Sequence, residues 1–490
     1  MFVRECLILG NGLKYNVTKS LKSMPYLVLA SFSIRGEGQN PAARCLGTKS
    51  SYLTGRVTRG SQRLRASGGT RSRPSPKEVQ GCCFWSLLDG PGQIWVSRRA
   101  GFGIILAAMG PWKPHERCEV KKVVHYLLLA LVLIGIPVLT AGLFGSDEIW
   151  NGLLNFPPRT EDWGLDPSKS WNVRYPFSWW AFVPIAVLVA VVCTPFVRRS
   201  IKASLAARSV RSVARFPWWG WLGLVMFLGW LPVVWLHPAW AAKLQVHSFA
   251  VMGFGHSFLM DALTYRRTGR TIFREAPRAF LLLLPASAMF WWFFEILNRF
   301  SWNWFFIGLE DYTAFEYICC FSLGCATILP SVVTTARWLG TFACFSDEVC
   351  SGMVQVNVAS PWSIALGMVV TLVGLIGVVL VPVAAFPFLW LSPIFASLIL
   401  QVTFGEKTVL DSLRVGNWSL AWRFAVAMLI CGFIWETWGF WIPVRWTYTV
   451  PYLYKFCYAE MPVIGFSGYL PFGIEAAIVC HWIDKKLVRA

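Results

Sequence analysis

The stretch "FSWWAFVPIAVLVAVVCTPFVRRSIKASLAARSVRSVAR", residues 177–215, decides the fold. Its first 21 residues carry no charge. An apolar helix of about 20 residues is long enough to cross the hydrocarbon core of a bilayer. The remainder, Arg198 to Arg215, carries six Lys/Arg and no acid. Loops of that kind stay on the cytoplasmic side. One stretch therefore supplies both a membrane span and its orientation.

The pattern recurs along the 490 residues. The chain is 56% hydrophobic and only 14% charged, against roughly 25% charged in a soluble domain. The sequence reads as an all-α, polytopic transmembrane bundle of ten spans, at about 123–144, 177–197, 216–236, 246–265, 279–298, 319–340, 361–382, 384–404, 424–441 and 463–482. The loop "YRRTGRTIFREAPR" has five Arg and one Glu and lies two spans after the first basic loop. The loop 145–175 has five acids and three bases and falls outside. Ten spans with both termini cytoplasmic satisfy these charges and the basic "DKKLVRA" end. The expected location is a bacterial inner membrane, with membrane lipid as the surrounding partner. The weakest pair is 361–382 and 384–404, because almost nothing separates them. Apolar residues Ile201, Leu205, Val210 and Val213 suggest that 198–215 lies as an amphipathic helix on the inner surface. Many of the 28 Trp sit at expected span ends, among them Trp179, Trp180, Trp218, Trp304 and Trp446. That is the signature of an interfacial aromatic belt.

Residues 1–122 differ from the rest. They hold 20 Lys+Arg against 6 Asp+Glu, while 123–490 hold 25 against 19. Ser-, Gly- and Arg-rich text such as "SGGTRSRPSPKE" cannot bury enough apolar surface to offset chain entropy. The expectation is a disordered basic segment before a membrane domain at 123–490. In a further reading, natural translation starts at Met109, and the residues upstream do not belong to the mature protein.

The stretch "FFEILNRFSWNWFF" (293–306) places Glu295 at the end of an apolar span. It has a partner in "IWETWGFWIPVRWTYT" (434–449), which holds Glu436. Trp304 follows Glu295 by nine residues, and Trp446 follows Glu436 by ten. Leu329–Pro330 and Leu470–Pro471 each end 35 residues after their acid, so both pairs are offset by 141. We read a parallel internal repeat in which spans 4–6 match spans 8–10, with copies at about 246–340 and 384–482. The copies differ where Glu475 stands in the last span and Thr334 in the first copy. An acid at that depth costs several kcal/mol unless it is paired or faces a polar cavity. Arg337 is one candidate partner for it. Glu295, Glu436 and Glu475 are thus the candidate catalytic residues, as carboxyls shielded from water that can serve in proton transfer. Each also has a plain structural alternative, a hydrogen bond to an indole or a loop.

This arrangement resembles the duplicated membrane domain of lycopene cyclases and related carotenoid-modifying enzymes. The matching residues are Glu295, Trp304, Leu329 and Pro330 in one copy and Glu436, Trp446, Leu470 and Pro471 in the other. The resemblance implies protonation of a polyene by intramembrane carboxylates. That family carries L-P-x-E-E; here stand "LPFGIE" and "LPSVVT". More generally, "DALTYRRTGR" is similar to loops of bacterial polytopic membrane proteins.

Neither a phosphate loop, nor a G-x-S-x-G, nor a G-x-G-x-x-G is present. His256 and Asp261 lie five apart on one span and do not share a face. No metal site, cofactor or nucleic-acid partner is expected. Three functions stay open: binding or acid-catalysed processing of a lipophilic, polyprenoid-like small molecule; proton-coupled transport; or a non-catalytic scaffold. The residues leave the oligomeric state undetermined.

Overall fold

The computed structural model describes residues 124–145, 147–154, 156–157, 175–206, 212–308 and 312–488. The expectations for 1–122, including the start at Met109, fall outside the described residues.

The described residues are mostly helical, and eight helices among them are long and apolar enough to cross a membrane. These are α1 (Val124–Phe144), α2 (Trp179–Ala206), α3 (Trp218–Leu236), α5 (Pro277–Ser301), α6 (Ala314–Leu339), α7 (Pro361–Leu380), α9 (Ser419–Gly439) and α10 (Val463–Ile483). Two further helices lie between them, α4 (Ser248–Thr268) and α8 (Phe388–Thr403). The first carries His256, Asp261, Arg266 and Arg267 along its length. The second has 16 residues, about 24 Å at 1.5 Å per residue, short of a ~30 Å core. Eight helices therefore meet the criterion for a span, against ten expected.

Basic residues 198–206 do not form a separate surface helix. They continue α2, because nothing between Trp179 and Ala206 breaks the helical backbone. Arg199 and Ser200 are then satisfied by carbonyls at Ser351 and Cys344.

Short segments close the bundle. Gly269 ends α4 at φ +70°, and its N–H returns to Tyr265 O at 2.7 Å. Such a left-handed cap suits glycine because no Cβ collides with the chain. Beyond it, Asp261 accepts from Trp219 Nε1 (3.2 Å), Thr271 Oγ1 (2.5 Å) and Ile272 N (2.9 Å). That carboxylate ties α3, α4 and the turn into α5 together. Glu275 in this turn receives hydrogen bonds from Arg270 and Arg337. Partial burial opposes ionisation of Glu275, yet the two arginines outweigh it and hold the carboxyl below its ordinary range.

Two strands, β1 (Trp304–Ile307) and β2 (Arg445–Tyr448), follow α5 and α9 and pair antiparallel. The register sets Trp304 opposite Tyr448, Phe305 opposite Thr447 and Phe306 opposite Trp446. Both helices thus end on one side of the bundle. Gly308 closes β1 at φ +82°, where an added Cβ would lie 2.5 Å from Pro443 O. Only glycine fits that approach of the two returning chains.

Candidate functional site

The turn after α5 is built from its own polar residues. Asn298 Oδ1 accepts from the N–H groups of Asn303 (2.8 Å) and Trp304 (3.3 Å). Its Nδ2 donates to Trp304 O at 2.8 Å. Asn303 Nδ2 reaches Thr449 O at 2.9 Å, which stitches the turn to the far strand. These bonds carry the Trp304 ring back over the helix end. There its Nε1 donates to Glu295 Oε1 at 2.7 Å, and Trp291 Nε1 donates to the same oxygen at 2.9 Å.

The second acid is held in a related way. Glu436 Oε1 accepts from Tyr448 OH (2.7 Å), Tyr469 OH (3.0 Å) and Trp446 Nε1 (3.1 Å). Both carboxylates are buried. Trp304 and Tyr448, each bonded to its acid, face each other across β1 and β2. The structure therefore brings Glu295 and Glu436 to one strand pair, each on its own set of donors.

Glu475 stands apart from this pair. It lies six residues beyond Tyr469, about 9 Å down the axis of α10. It is buried, and its Oε2 has no hydrogen-bond partner among the described residues. The pairing with Arg337 does not form. Arg337 instead bonds Glu275 and Lys486 O (3.2 Å), because the C-terminal end of α6 meets the turn before α5 and the chain after α10. Thr334, 141 residues before Glu475, bonds back within its helix to Pro330 O at 2.8 Å.

Beside the strand pair is a cavity of about 640 Å³. That lies within the 300–1,000 Å³ range of ligand pockets. Its wall takes residues from α2, α4, α5, α6, α8, α9, α10 and both strands. Trp291, Trp304, Trp446, Tyr448 and Tyr469 line it, so the donors to Glu295 and Glu436 present their rings to the space. None of Glu295, Glu436 and Glu475 is among its lining residues. The two strand-side acids stand behind the aromatic wall and fix its rings.

Sequence reasoning passed over several of these rings. The Trp304 ring packs on Trp390 at 5.4 Å, and Trp390 stacks on Phe294 at 5.0 Å. The Trp446 ring packs on Phe249 at 5.7 Å, and Phe249 lies 6.3 Å from Trp435. Trp390 follows Phe249 by 141 residues, as Trp435 follows Phe294. Trp304 and Trp446 thus each pack on an aromatic residue more than 80 positions away in the sequence. A third matched pair is Trp292 with Tyr317 (5.8 Å) and Phe433 with Tyr458 (4.7 Å), again 141 apart. The signal was present as aromatic residues recurring at one offset. Trp304, expected in an interfacial belt, is buried instead, whereas Trp180 and Trp218 are exposed as a belt requires.

His256 belongs to a separate buried cluster. Its Nε2 lies 2.8 Å from Thr335 Oγ1 and 3.8 Å from Cys431 Sγ, which joins α4, α6 and α9. Among the described residues no group of three His, Cys, Asp or Glu side chains converges as a metal site would require.

No known protein family, curated protein or solved structure matches this chain.

Proposed function

We propose that this is an integral membrane protein that binds a lipophilic molecule in the aromatic cavity beside β1 and β2. The observation that carries the reading is a ligand-sized space whose ring wall is anchored from behind by Glu295 and Glu436. A buried carboxylate that accepts from two or three ring donors removes their freedom to turn, and so pre-shapes the wall. In this role Glu295 and Glu436 are positioning residues rather than proton donors to the ligand.

The same reading treats α4 and α8 as spans beside the eight, giving ten. It also treats the chain as a parallel duplication at an offset of 141. Three matched ring pairs and the matched carboxylates support this. The starts of two helical segments, Ile328 and Tyr469, stand 141 apart as well. The basic ends of α2 and α4 lie away from the strand pair, which supports a cytoplasmic inner face in a bacterial membrane.

The test is a purification from native-like membrane in mild detergent, followed by organic extraction and mass spectrometry. A lipophilic compound should accompany the protein in near-stoichiometric amount. Gly468 lines the cavity, and a Cβ there meets nothing within 4 Å. The Gly468→Leu variant should fold, fill the space and lose the compound. Equal retention by Gly468→Leu, or a ligand-free wild-type protein, overturns the proposal.

A further inference from the structure

The described wall of the cavity holds Asn303, Ser467, four tyrosines and otherwise apolar, aromatic or thiol groups. Among the described residues that line it there is no Asp, Glu, Lys, Arg or His. A buried charge needs a partner of opposite sign or a strong hydrogen-bonding site. The described wall offers no ion to pair with. A phosphate, carboxylate or ammonium on the ligand would be left uncompensated in it.

The lipid-side wall adds a second observation. Ile185, Leu188, Val189 and Val192 of α2 line the cavity, while Val183, Val187 and Val191 are exposed on the helix exterior. The hydrogen bonds that α2 makes to the rest of the described chain lie at its ends. At one end Ser178 N donates to Tyr452 O (2.8 Å), and at the other Ser200 Oγ donates to Cys344 O (3.2 Å). Phe196 stacks on Trp422 at 4.8 Å near the second end. Pro184 and Pro195 stand inside this continuous helix, one just before Ile185 and the other just before Phe196 of the lining face. A proline removes one backbone hydrogen bond and marks where a helix bends. The span between them is thus a strap held at two points, with bilayer on one side and cavity on the other.

We infer that the ligand is a neutral molecule without an ionised headgroup, drawn sideways from the bilayer core past the middle of α2. This inference rests on the binding role proposed above and names the class of molecule bound. A charged headgroup would be excluded twice, by the hydrocarbon it must cross and by the wall it must face.

Three probes of one shape test it: diphenylhexatriene, its trimethylammonium derivative and its propionic acid derivative. The full-length protein is reconstituted in phosphatidylcholine vesicles, and energy transfer from tryptophan to probe is titrated. Bulk bilayer probe gives transfer that rises without saturating, so the saturable part reports the cavity. The neutral rod should saturate, Gly468→Leu should abolish that part, and both charged rods should bind at least tenfold more weakly. A charged rod that binds within tenfold of the neutral one overturns the neutral class while leaving the cavity reading intact. Absence of saturable transfer for all three probes overturns the cavity reading itself, and this inference with it.

Discussion

Replacing Glu436 with leucine removes the acceptor shared by Trp446 Nε1, Tyr448 OH and Tyr469 OH. Each buried donor left without a partner costs about 1–3 kcal/mol. Three of them set a range of about 3–9 kcal/mol, and the shared network makes the losses less than additive, which favours its lower half. Glu436→Gln keeps an acceptor oxygen, and its loss is smaller, about 1–2 kcal/mol. Tyr448→Phe alone removes one donor and leaves the acid two others, again about 1 kcal/mol. Denaturant titration in mild detergent, followed by tryptophan fluorescence, measures all four proteins and the Glu436→Leu/Tyr448→Phe double variant. The double variant should be less destabilised than the sum of the singles, because Tyr448→Phe removes a donor that Glu436→Leu strands. A Glu436→Leu protein within about 1 kcal/mol of wild type, or a cycle with no coupling, would refute the claim that this carboxylate organises the wall.

Two glycines on α10 and its approach give opposite expectations. A Cβ on Gly473 would lie 2.3 Å from Phe424 O, so Gly473→Ala should push α10 off α9 and cost about 1–3 kcal/mol or more, whereas Gly468→Leu should leave the denaturation midpoint within experimental error. Thr335→Val leaves buried His256 Nε2 with only the distant Cys431 thiol and should cost about 1–3 kcal/mol in the same titration. Glu275 is held below its ordinary value of 4.5 by Arg270 and Arg337. Its stabilising contribution is therefore fully present above about that pH and is lost as pH falls through the lower folded value. Acid titration of wild type should show this loss, and Glu275→Gln should flatten the profile in that window. A parallel profile for the two proteins would remove Glu275 from the account.

The helices were legible because twenty uncharged residues have few alternatives, and all ten expected segments fall on helix. Helix α8 shows the limit of that reading: Phe388–Thr403 carries no charge but ends about four residues short of a span. The strands were not legible. "WFFI" and "RWTY" look like aromatic span ends, and only a partner 141 residues away makes them a ladder. The acids were found as exceptions to an apolar background, but their targets were not, since a hydrogen bond from Tyr469 to Glu436 depends on how α10 meets α9. Arg337 misled for a similar reason. Opposite sign suggested Glu475, while the packing of the inner turn delivers Glu275. The cavity left no trace in the sequence, because an empty volume is a property of how rings fail to meet.

The pairing of β1 with β2 has a consequence for ancestry. Exchanging Trp304, Phe305 and Phe306 for the residues 142 positions on, one more than 141 because Trp446 follows its acid by one extra residue, returns the same three pairs with Phe305 opposite Thr447 at the centre. That is the rule obeyed by an isologous contact, in which one surface meets a second copy of itself. On the duplication proposed above, a single-copy chain carrying one such strand could pair with itself through it, and the two-acid aromatic wall would then form across a subunit boundary. Joining two copies would free each acid to diverge, and the different donor sets on Glu295 and Glu436 are the form such divergence would take.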